Sequence, residues 1–256
     1  MKVLINGICG YMGKEVERLC LSGFRGAEAV CGVDPSFTEG AKTTVYTTLD
    51  AVPKGEQIDC IIDFSHHCCV ISLLEFATEN NIPTVVCTTG HTEEELEAIS
   101  EAAKHIPVFF SANMSLGVAL LVELAKKAAA AMPEADIEIV EKHHNRKLDA
   151  PSGTALMLAR ELAEVRPDSE TVCGRNGKHK REPNEIGIHA IRMGNIVGEH
   201  EVIIGTDSQT ITLKHEAHSR SLFAEGAIAA AVFLVGKEAG LYDMKSLIVN
   251  KEPASV

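Results

Sequence analysis

Two histidines, an arginine, a lysine and a helix start crowd into residues 141–154, which read E-K-H-H-N-R-K-L-D-A-P-S-G-T. Imidazole and ammonium groups are the side chains that move protons near neutral pH. Asp149 to Thr154 reads as a helix N-terminus: Ser152 and Thr154 can accept hydrogen bonds from unpaired amides, and Pro151 is tolerated in a first turn. Such a terminus carries partial positive charge and bare N–H donors, so amides from Ser152 to Thr154 suit a carboxylate. With Arg146 and Lys147 beside it, the segment predicts a pocket for a small, multiply anionic molecule. A histidine alone near a strand end reads as a polar surface residue. His143 stands out because His144, Lys147 and the helix start share its segment.

A second chemical signature lies at the N-terminus. Gly7, Gly10 and Gly13 space a G-x-x-G-x-x-G turn between an apolar strand and a helix, and Asp34 ends the next strand, 21 residues past Gly13. Gly7 permits a tight turn, Gly10 lets backbone approach a pyrophosphate, and Gly13 allows close helix–strand packing. This is a variant of the dinucleotide fingerprint, and Asp34 is expected on the adenosine ribose hydroxyls. Pro35 follows where an arginine would welcome a 2′-phosphate, so the expectation leans toward NADH, with NADPH kept open. Thr88-Thr89-Gly90 and Ala112-Asn113 end later strands, at the edge where open α/β sheets place ligands.

The bulk properties narrow the partners. A net charge of −12 speaks against a general nucleic-acid field, so an anionic substrate must be caught by local cations. The charge-free run 106–122 holds Pro107, Ser111, Asn113, Ser115 and Gly117 and is too short and polar for a membrane span. Four apolar residues before Gly7 are too few for a secretory core, and a cytosolic location is expected. The eight cysteines show no C-x-x-C pair and are expected as reduced thiols. His66-His67-Cys68-Cys69 is the exception, but neighbouring residues point different ways, and no metal site is expected.

The elements that must position these residues alternate at first. Strands are expected at 3–6, 27–33, 58–64, 84–88 and 108–110. Helices follow Met12, Val16, Leu19 and Cys20, then Leu73, Leu74 and Ala77, then 92–104, where Thr92 and Glu95 make a capping box. That rhythm predicts a doubly wound (Rossmann-type) parallel sheet. After Asn113 come an all-round apolar, buried helix at 116–132, a strand at 137–140, a helix at 153–165 and strands at 186–193, 201–205 and 209–215. They describe a second α+β domain with an open mixed or antiparallel sheet, in which G-T-D-S at 205–208 closes a hairpin. Residues 166–185 read as a mobile loop, its Lys/Arg run at 175–181 as solvated. His189, His200, His215 and His218 read as surface or supporting residues, 221–237 as helix and 247–249 as a last strand.

The opening G-x-x-G-x-M-G, T-T-G at 88–90, S-A-N at 111–113 and the 141–154 block occur in an order that resembles the 4-hydroxy-tetrahydrodipicolinate reductase (dihydrodipicolinate reductase) family. H-x-A-x-S-R at 215–220 and the tail at 236–244 extend the likeness. The resemblance implies His143 as proton donor or acceptor and Lys147 as proton donor, with His144, Gly153 and Thr154 on the substrate. It implies nucleotide contacts from Gly7, Ile8, Cys9, Gly10, Tyr11 and Met12, from Asp34, from Cys87, Thr88 and Thr89, and from Ser111, Ala112, Asn113 and Met114. It also implies a homotetramer joined through C-terminal sheets. The C-terminal helix returns to the first domain, giving a dinucleotide-binding domain of residues 1–114 and 221–256 and a substrate-binding and oligomerisation domain of 115–220. Cys87, His66-His67 and Met114 depart from the family pattern at the nucleotide pocket, which bears on nucleotide preference.

The implied substrate is a cyclic imine with two carboxylates and a hydroxyl. Loss of water leaves a conjugated C=C–C=N system; hydride adds at carbon 4, and an acid must supply a proton. Lys147, crowded by Arg146 and the helix end, is the candidate acid, with His143 sharing or orienting the role. Two other readings stay open: an amino-acid or sugar-phosphate dehydrogenase on the same plan, and a nucleotide-sensing module without turnover.

Overall fold

The computed structural model describes residues 1–37 and 39–249, without the side chain of residue 249, and divides into two compact units, 1–116 with 221–256 and 117–220.

Short apolar runs ended by glycine, asparagine or aspartate make buried parallel strands, because both faces of such a sheet are covered. In the first unit these are β1 (Lys2–Asn6), β2 (Glu28–Val33), β3 (Val45–Tyr46), β4 (Cys60–Asp63), β5 (Thr84–Val86) and β6 (Pro107–Phe110). With β12 (Gly240–Tyr242) they form one parallel seven-stranded sheet in the order β12-β6-β5-β4-β1-β2-β3. The order reverses between β1 and β4, which pair directly from Val3↔Cys60 to Asn6↔Asp63. That reversal is the switch point at which doubly wound sheets bind ligands.

Helices α1 (Tyr11–Leu21), α2 (Val70–Glu79), α3 (Glu93–Ala102), α6 (Ser221–Leu234) and α7 (Met244–Val249) complete this unit. Leu73, Leu74 and Ala77 of α2 and Ile99 and Ala102 of α3 bury against Leu4, Ile61, Val86 and Val108 of the sheet. α6 is nearly all small or apolar, and Ala224, Ala227, Ile228, Ala230 and Ala231 are buried. Gly226 lets it lie against the 111–116 turn, since a Cβ there would stand 1.7 Å from Met114 O. The capping box predicted for α3 is present: Glu95 N donates to Thr92 Oγ1 (3.3 Å) and Thr92 N to Glu95 Oε2 (2.8 Å).

The second unit holds α4 (Leu116–Ala131), α5 (Gly153–Ala163) and a five-stranded sheet in the order β11-β10-β7-β9-β8. Its strands are β7 (Asp136–His143), β8 (Glu170–Cys173), β9 (Glu185–Arg192), β10 (Gly198–Thr206) and β11 (Gln209–Ala217). β10 runs antiparallel to β7 and β11, whereas β9 is parallel to β7 and β8, so the sheet is mixed. Thr206 pairs with Gln209, so Asp207-Ser208 is the two-residue hairpin turn expected there. Ile137 and Ile139 of β7, Val202 and Ile204 of β10 and Leu158 and Leu162 of α5 form its core.

Several expectations give way. The supposed loop 166–185 contains β8, whose four residues sit at the sheet edge with little burial to mark them. Arg181 is pinned there, bonded to Asp136 (3.0 Å), Glu138 (3.1 Å) and the carbonyl of Ile137, and Arg175 pairs with Glu185; Lys178 and Lys180 are exposed as predicted. Residues 247–249 are helical, and the last strand is β12, only three residues long and too short for a readable period. α4 buries Leu121, Val122 and Ala125, but Leu120 and Leu124 are 48% and 44% exposed, so it is not covered all round within this unit.

Candidate active site

In the first unit the chain leaves β1 into Gly7, whose φ of +80° strains any residue with a Cβ. A Cβ at Gly13 would lie 2.1 Å from Gly7 O and 2.6 Å from Ile8 Cα, so the α1 start is pressed onto the turn as the motif predicts. Gly10 is the N-cap of α1, with no side-chain hydrogen bond capping that end. Ile8 is buried over Gly32, where a Cβ would meet its side chain at 2.5 Å, so only its backbone can serve a ligand. Exposed Tyr11 and part-buried Met12 open the helix.

Asp34 turns back onto this loop. Cys9 N donates to its Oδ2 at 3.0 Å, and Ser36 N (2.9 Å) and Ser36 Oγ (2.6 Å) donate to Oδ1. Burial works to raise the Asp34 carboxyl, but the Ser36 and Cys9 donors outweigh it and hold it below its ordinary value. A fixed carboxylate beside a glycine turn and an uncapped helix end fits a dinucleotide: acceptors for ribose hydroxyls, donors for phosphate oxygens.

A second carboxylate that the motifs did not single out lies at the switch point. Asp63, fully buried, accepts Asn6 Nδ2 (2.9 Å), Ser65 N (3.1 Å) and Ser65 Oγ (2.6 Å) at Oδ1, and Thr88 Oγ1 (3.4 Å) at Oδ2. It ties the ends of β1 and β4 to the T-T-G segment, and burial raises its carboxyl above the usual value. Its signal was available, an acid closing the run C-I-I-D. Thr88 Oγ1 also meets His91 Nε2 at 3.0 Å. His67 Nδ1 reaches Glu95 at 2.9 Å, and the His67 ring lies tilted against that of His66 with centroids 4.3 Å apart. Among the described residues no group of three His, Cys, Asp or Glu is disposed to hold a metal ion.

Thr89 and Ala112 are exposed, Ser111 and Asn113 half-buried; Ser111 Oγ and Asn113 Oδ1 close the 111–115 turn through Asn113 O (2.9 Å) and Ser115 N (2.9 Å). Cys87 and Met114 are buried in the core, so their backbone is what those two positions offer. Burial pushes the Cys87 thiol well up, which makes it inert at neutral pH.

In the second unit, β7 alternates, and Ile137, Ile139, Glu141 and His143 point to the buried face. The apolar pair packs; the polar pair makes a network. Glu141 Oε2 lies 2.6 Å from His143 Nδ1, and Glu141 Oε1 accepts Ser152 N at 2.9 Å. Arg192, at the end of β9, grips the same carboxylate with both NH1 and NH2 at 2.7 Å. Burial would raise the Glu141 carboxyl, but Arg192, His143 and the Ser152 amide outweigh it and keep it below the usual range.

Ser152 caps α5, its Oγ accepting Ala155 N at 3.3 Å, and lies 3.1 Å from His200 Nε2. This corrects two expectations. Pro151 precedes the cap instead of opening the helix, and the Ser152 amide is spent on Glu141, so Ser152 shapes the site from beneath. Gly153 is exposed, with nothing within 4 Å of its Cβ position, and Thr154 is half-buried beside it. His200 is no surface residue: it is 5% exposed, its ring 5.2 Å from that of His143 and edge-on. Burial first, then the His143 charge, pushes it down to about 4.

The loop after His143 carries the remaining candidates. Lys147 Nζ pairs with Asp149 Oδ1 at 2.8 Å, whereas Arg146 reaches Asn195; the charge that Lys147 contacts is therefore negative, not the crowding arginine expected. His144 Nδ1 is buried without a hydrogen-bond partner. Burial lowers His144, helped by the charges of Arg146 and Arg220. An imidazole nitrogen left unpaired is poised for a ligand donor. The segment thus assembles one buried His–Glu–Arg network, one half-exposed ammonium, one unpaired imidazole and a helix start capped by Ser152 with Gly153 exposed.

Family models match the chain in two pieces, "Dihydrodipicolinate reductase, N-terminus" over residues 1–114 and "Dihydrodipicolinate reductase, C-terminus" over residues 117–248. A 4-hydroxy-tetrahydrodipicolinate reductase of Caldanaerobacter subterraneus subsp. tengcongensis is 48% identical over 97% of this chain and 98% of its own. That of Clostridium novyi is 44% identical over 98% and 99%. Among solved structures, a dihydrodipicolinate reductase of a Paenisporosarcina species with dipicolinate bound superposes with a TM-score of 0.81 at 27% identity, covering 95% of this chain and 97% of that one. An engineered D-amino acid dehydrogenase bound to NADP+ shares the fold alone, with a TM-score of 0.61 at 17% identity over 99% and 97%.

Proposed function

The chain belongs to the dihydrodipicolinate reductase family in both of its halves, and on that premise we propose which of its residues carry the reaction. It is an NAD(P)H-dependent oxidoreductase that reduces 4-hydroxy-tetrahydrodipicolinate to tetrahydrodipicolinate with loss of water, in the diaminopimelate route to lysine. The single observation that carries the assignment is the 141–154 segment, where proton-handling groups and the exposed Gly153 helix start meet in one place.

We assign the dinucleotide to the first unit. Asp34 presents acceptors to the adenosine ribose, and the Gly7–Met12 turn and uncapped α1 amides face the phosphates. Thr88, Thr89 and the 111–114 backbone line the rest. When bound, the reduced nicotinamide supplies the hydride that the substrate accepts at carbon 4. The carboxylate of Asp34 disfavours a 2′-phosphate by charge, so we infer a preference for NADH.

We assign the dicarboxylate to the second unit, with the Gly153 and Thr154 turn on one carboxylate and His144 Nδ1 on a substrate oxygen. One proton is taken up on the ring-nitrogen side, and His143 and the Lys147 ammonium share its delivery. The far face of this unit's sheet carries Val140, Ile191 and Ile203, and we propose that it joins copies into a homotetramer; a monomer in light scattering would overturn that. The exposed thiols of Cys68 and Cys173, in no disulfide, suit the reducing cytoplasm, where we place the enzyme.

The test is a coupled assay in which the preceding synthase makes the substrate in place and each nucleotide is offered in turn. Oxidation of NADH with formation of tetrahydrodipicolinate is expected. Calorimetric binding of NADH without turnover would leave only a nucleotide-binding module.

A further inference from the structure

An ionised carboxylate has no proton to give; it can only accept. Glu141 is wholly buried and takes four donors: Ser152 N and Arg192 NH2 on Oε1 (2.9 and 2.7 Å), Arg192 NH1 and His143 Nδ1 on Oε2 (2.7 and 2.6 Å). The bidentate guanidinium keeps it charged in a buried place where a lone carboxyl would protonate. His143 Nδ1 must therefore hold the hydrogen of that bond. The other ring nitrogen, Nε2, lies over Gly198, where an added Cβ would stand 3.1 Å away. Glycine there leaves Nε2 uncrowded.

We infer that Glu141, clamped by Arg192, is a positioning residue of the reaction: it keeps the proton on His143 Nδ1 and so makes His143 Nε2 the atom that passes a proton to the substrate. The inference rests on the assignment of proton transfer to His143. The step balances simply. Nε2 takes a proton from solvent, Nδ1–H stays on Glu141, and the imidazolium gives its Nε2 proton to the ring-nitrogen side, returning to the neutral ring. Glu141 stabilises the cation in between and is not itself protonated. Other titratable groups surround the ring. Arg192 comes from β9, His200 from β10, and His144, Lys147 and Asp149 from the following loop; His215 of β11 lies behind His200. His200 stays neutral beside it, which leaves Glu141 as the acceptor that Nδ1 meets.

Nitrogen-15 NMR of the full-length, histidine-labelled enzyme reads the tautomer directly, with the His143 signal identified by its loss in His143→Gln. The neutral Nδ1–H form is expected; an Nε2–H form in the native enzyme overturns the inference without any need for a variant. Glu141→Gln is expected to shift His143 toward Nε2–H and to cut kcat about 100-fold or more, with KM and NADH affinity within about threefold. A flipped tautomer with native kcat also overturns it. If His143→Gln itself keeps native turnover, the fault lies with the assignment of the proton to His143, and the tautomer measurement still reports on Glu141.

Discussion

Glu141 Oε2 and His143 Nδ1 meet at 2.6 Å although the two residues lie only two apart on one strand. Strand geometry explains the meeting, since residues i and i+2 share a face, and here that face is buried. Proton handling is thereby placed on a rigid strand, while Lys147 sits on the loop that follows. We predict that His143→Gln and Lys147→Ala each lower turnover by about 10²–10⁴-fold, the loss expected for a missing acid or base. Calorimetry should show NADH bound as in the native enzyme. Native turnover in either variant removes that residue from the mechanism.

Asp34 holds the glycine turn through Cys9 N and is the acceptor offered to a ribose. Replacing it with alanine is expected to weaken NADH by about tenfold, or 1.4 kcal/mol, and NADPH by less. Titration calorimetry with each nucleotide measures both. Equal losses would show that Asp34 supports the loop without reading the ribose.

Gly13 and Gly10 face the same oxygen at different distances. A Cβ would stand 2.1 Å from Gly7 O at position 13 and 3.2 Å at position 10. Gly13→Ala must move backbone, and a destabilisation of about 1–3 kcal/mol or more is expected, with weaker NADH binding. Gly10→Ala should cost less, because a few tenths of an ångström relieve it. Thermal melts that rank the two variants equally would contradict this geometry.

His200 bears on stability rather than on chemistry. Its folded-state value is pushed down to about 4 from 6.5, so the unfolded chain binds a proton that the folded one refuses. Stability is therefore highest above 6.5 and falls as pH drops from 6.5 toward 4, by up to about 3 kcal/mol from this group. Glu141 acts in the same direction below the usual carboxylate range, and His91, His144 and His215 are lowered too, so comparison with a His200 variant isolates this histidine. Urea titrations between pH 4 and 7 should show a shallower slope in His200→Gln; an unchanged slope would mean that His200 is protonated in the fold.

Much of this protein was legible without coordinates. The strand–turn–helix around Gly7 to Gly13 and the capping box of Thr92 and Glu95 are local patterns, and each formed where its spacing placed it, whereas β7 runs past the expected 137–140 to His143. The short edge elements did not announce themselves: β8 and β12 have too few residues for a period and draw their identity from neighbours.

Amino-acid order by itself determined the two chemical neighbourhoods, because glycine spacing, strand parity and a Ser-Gly-Thr helix start act over a few residues. Pairings between distant residues were decided only by the tertiary structure. Arg192 closes on Glu141 across 51 positions, His200 comes beneath Ser152 across 48, and Asp63 binds Asn6 across 57. Those partners meet because mixed and parallel sheets set remote strands side by side, and register, which no local motif encodes, chooses which side chains face each other.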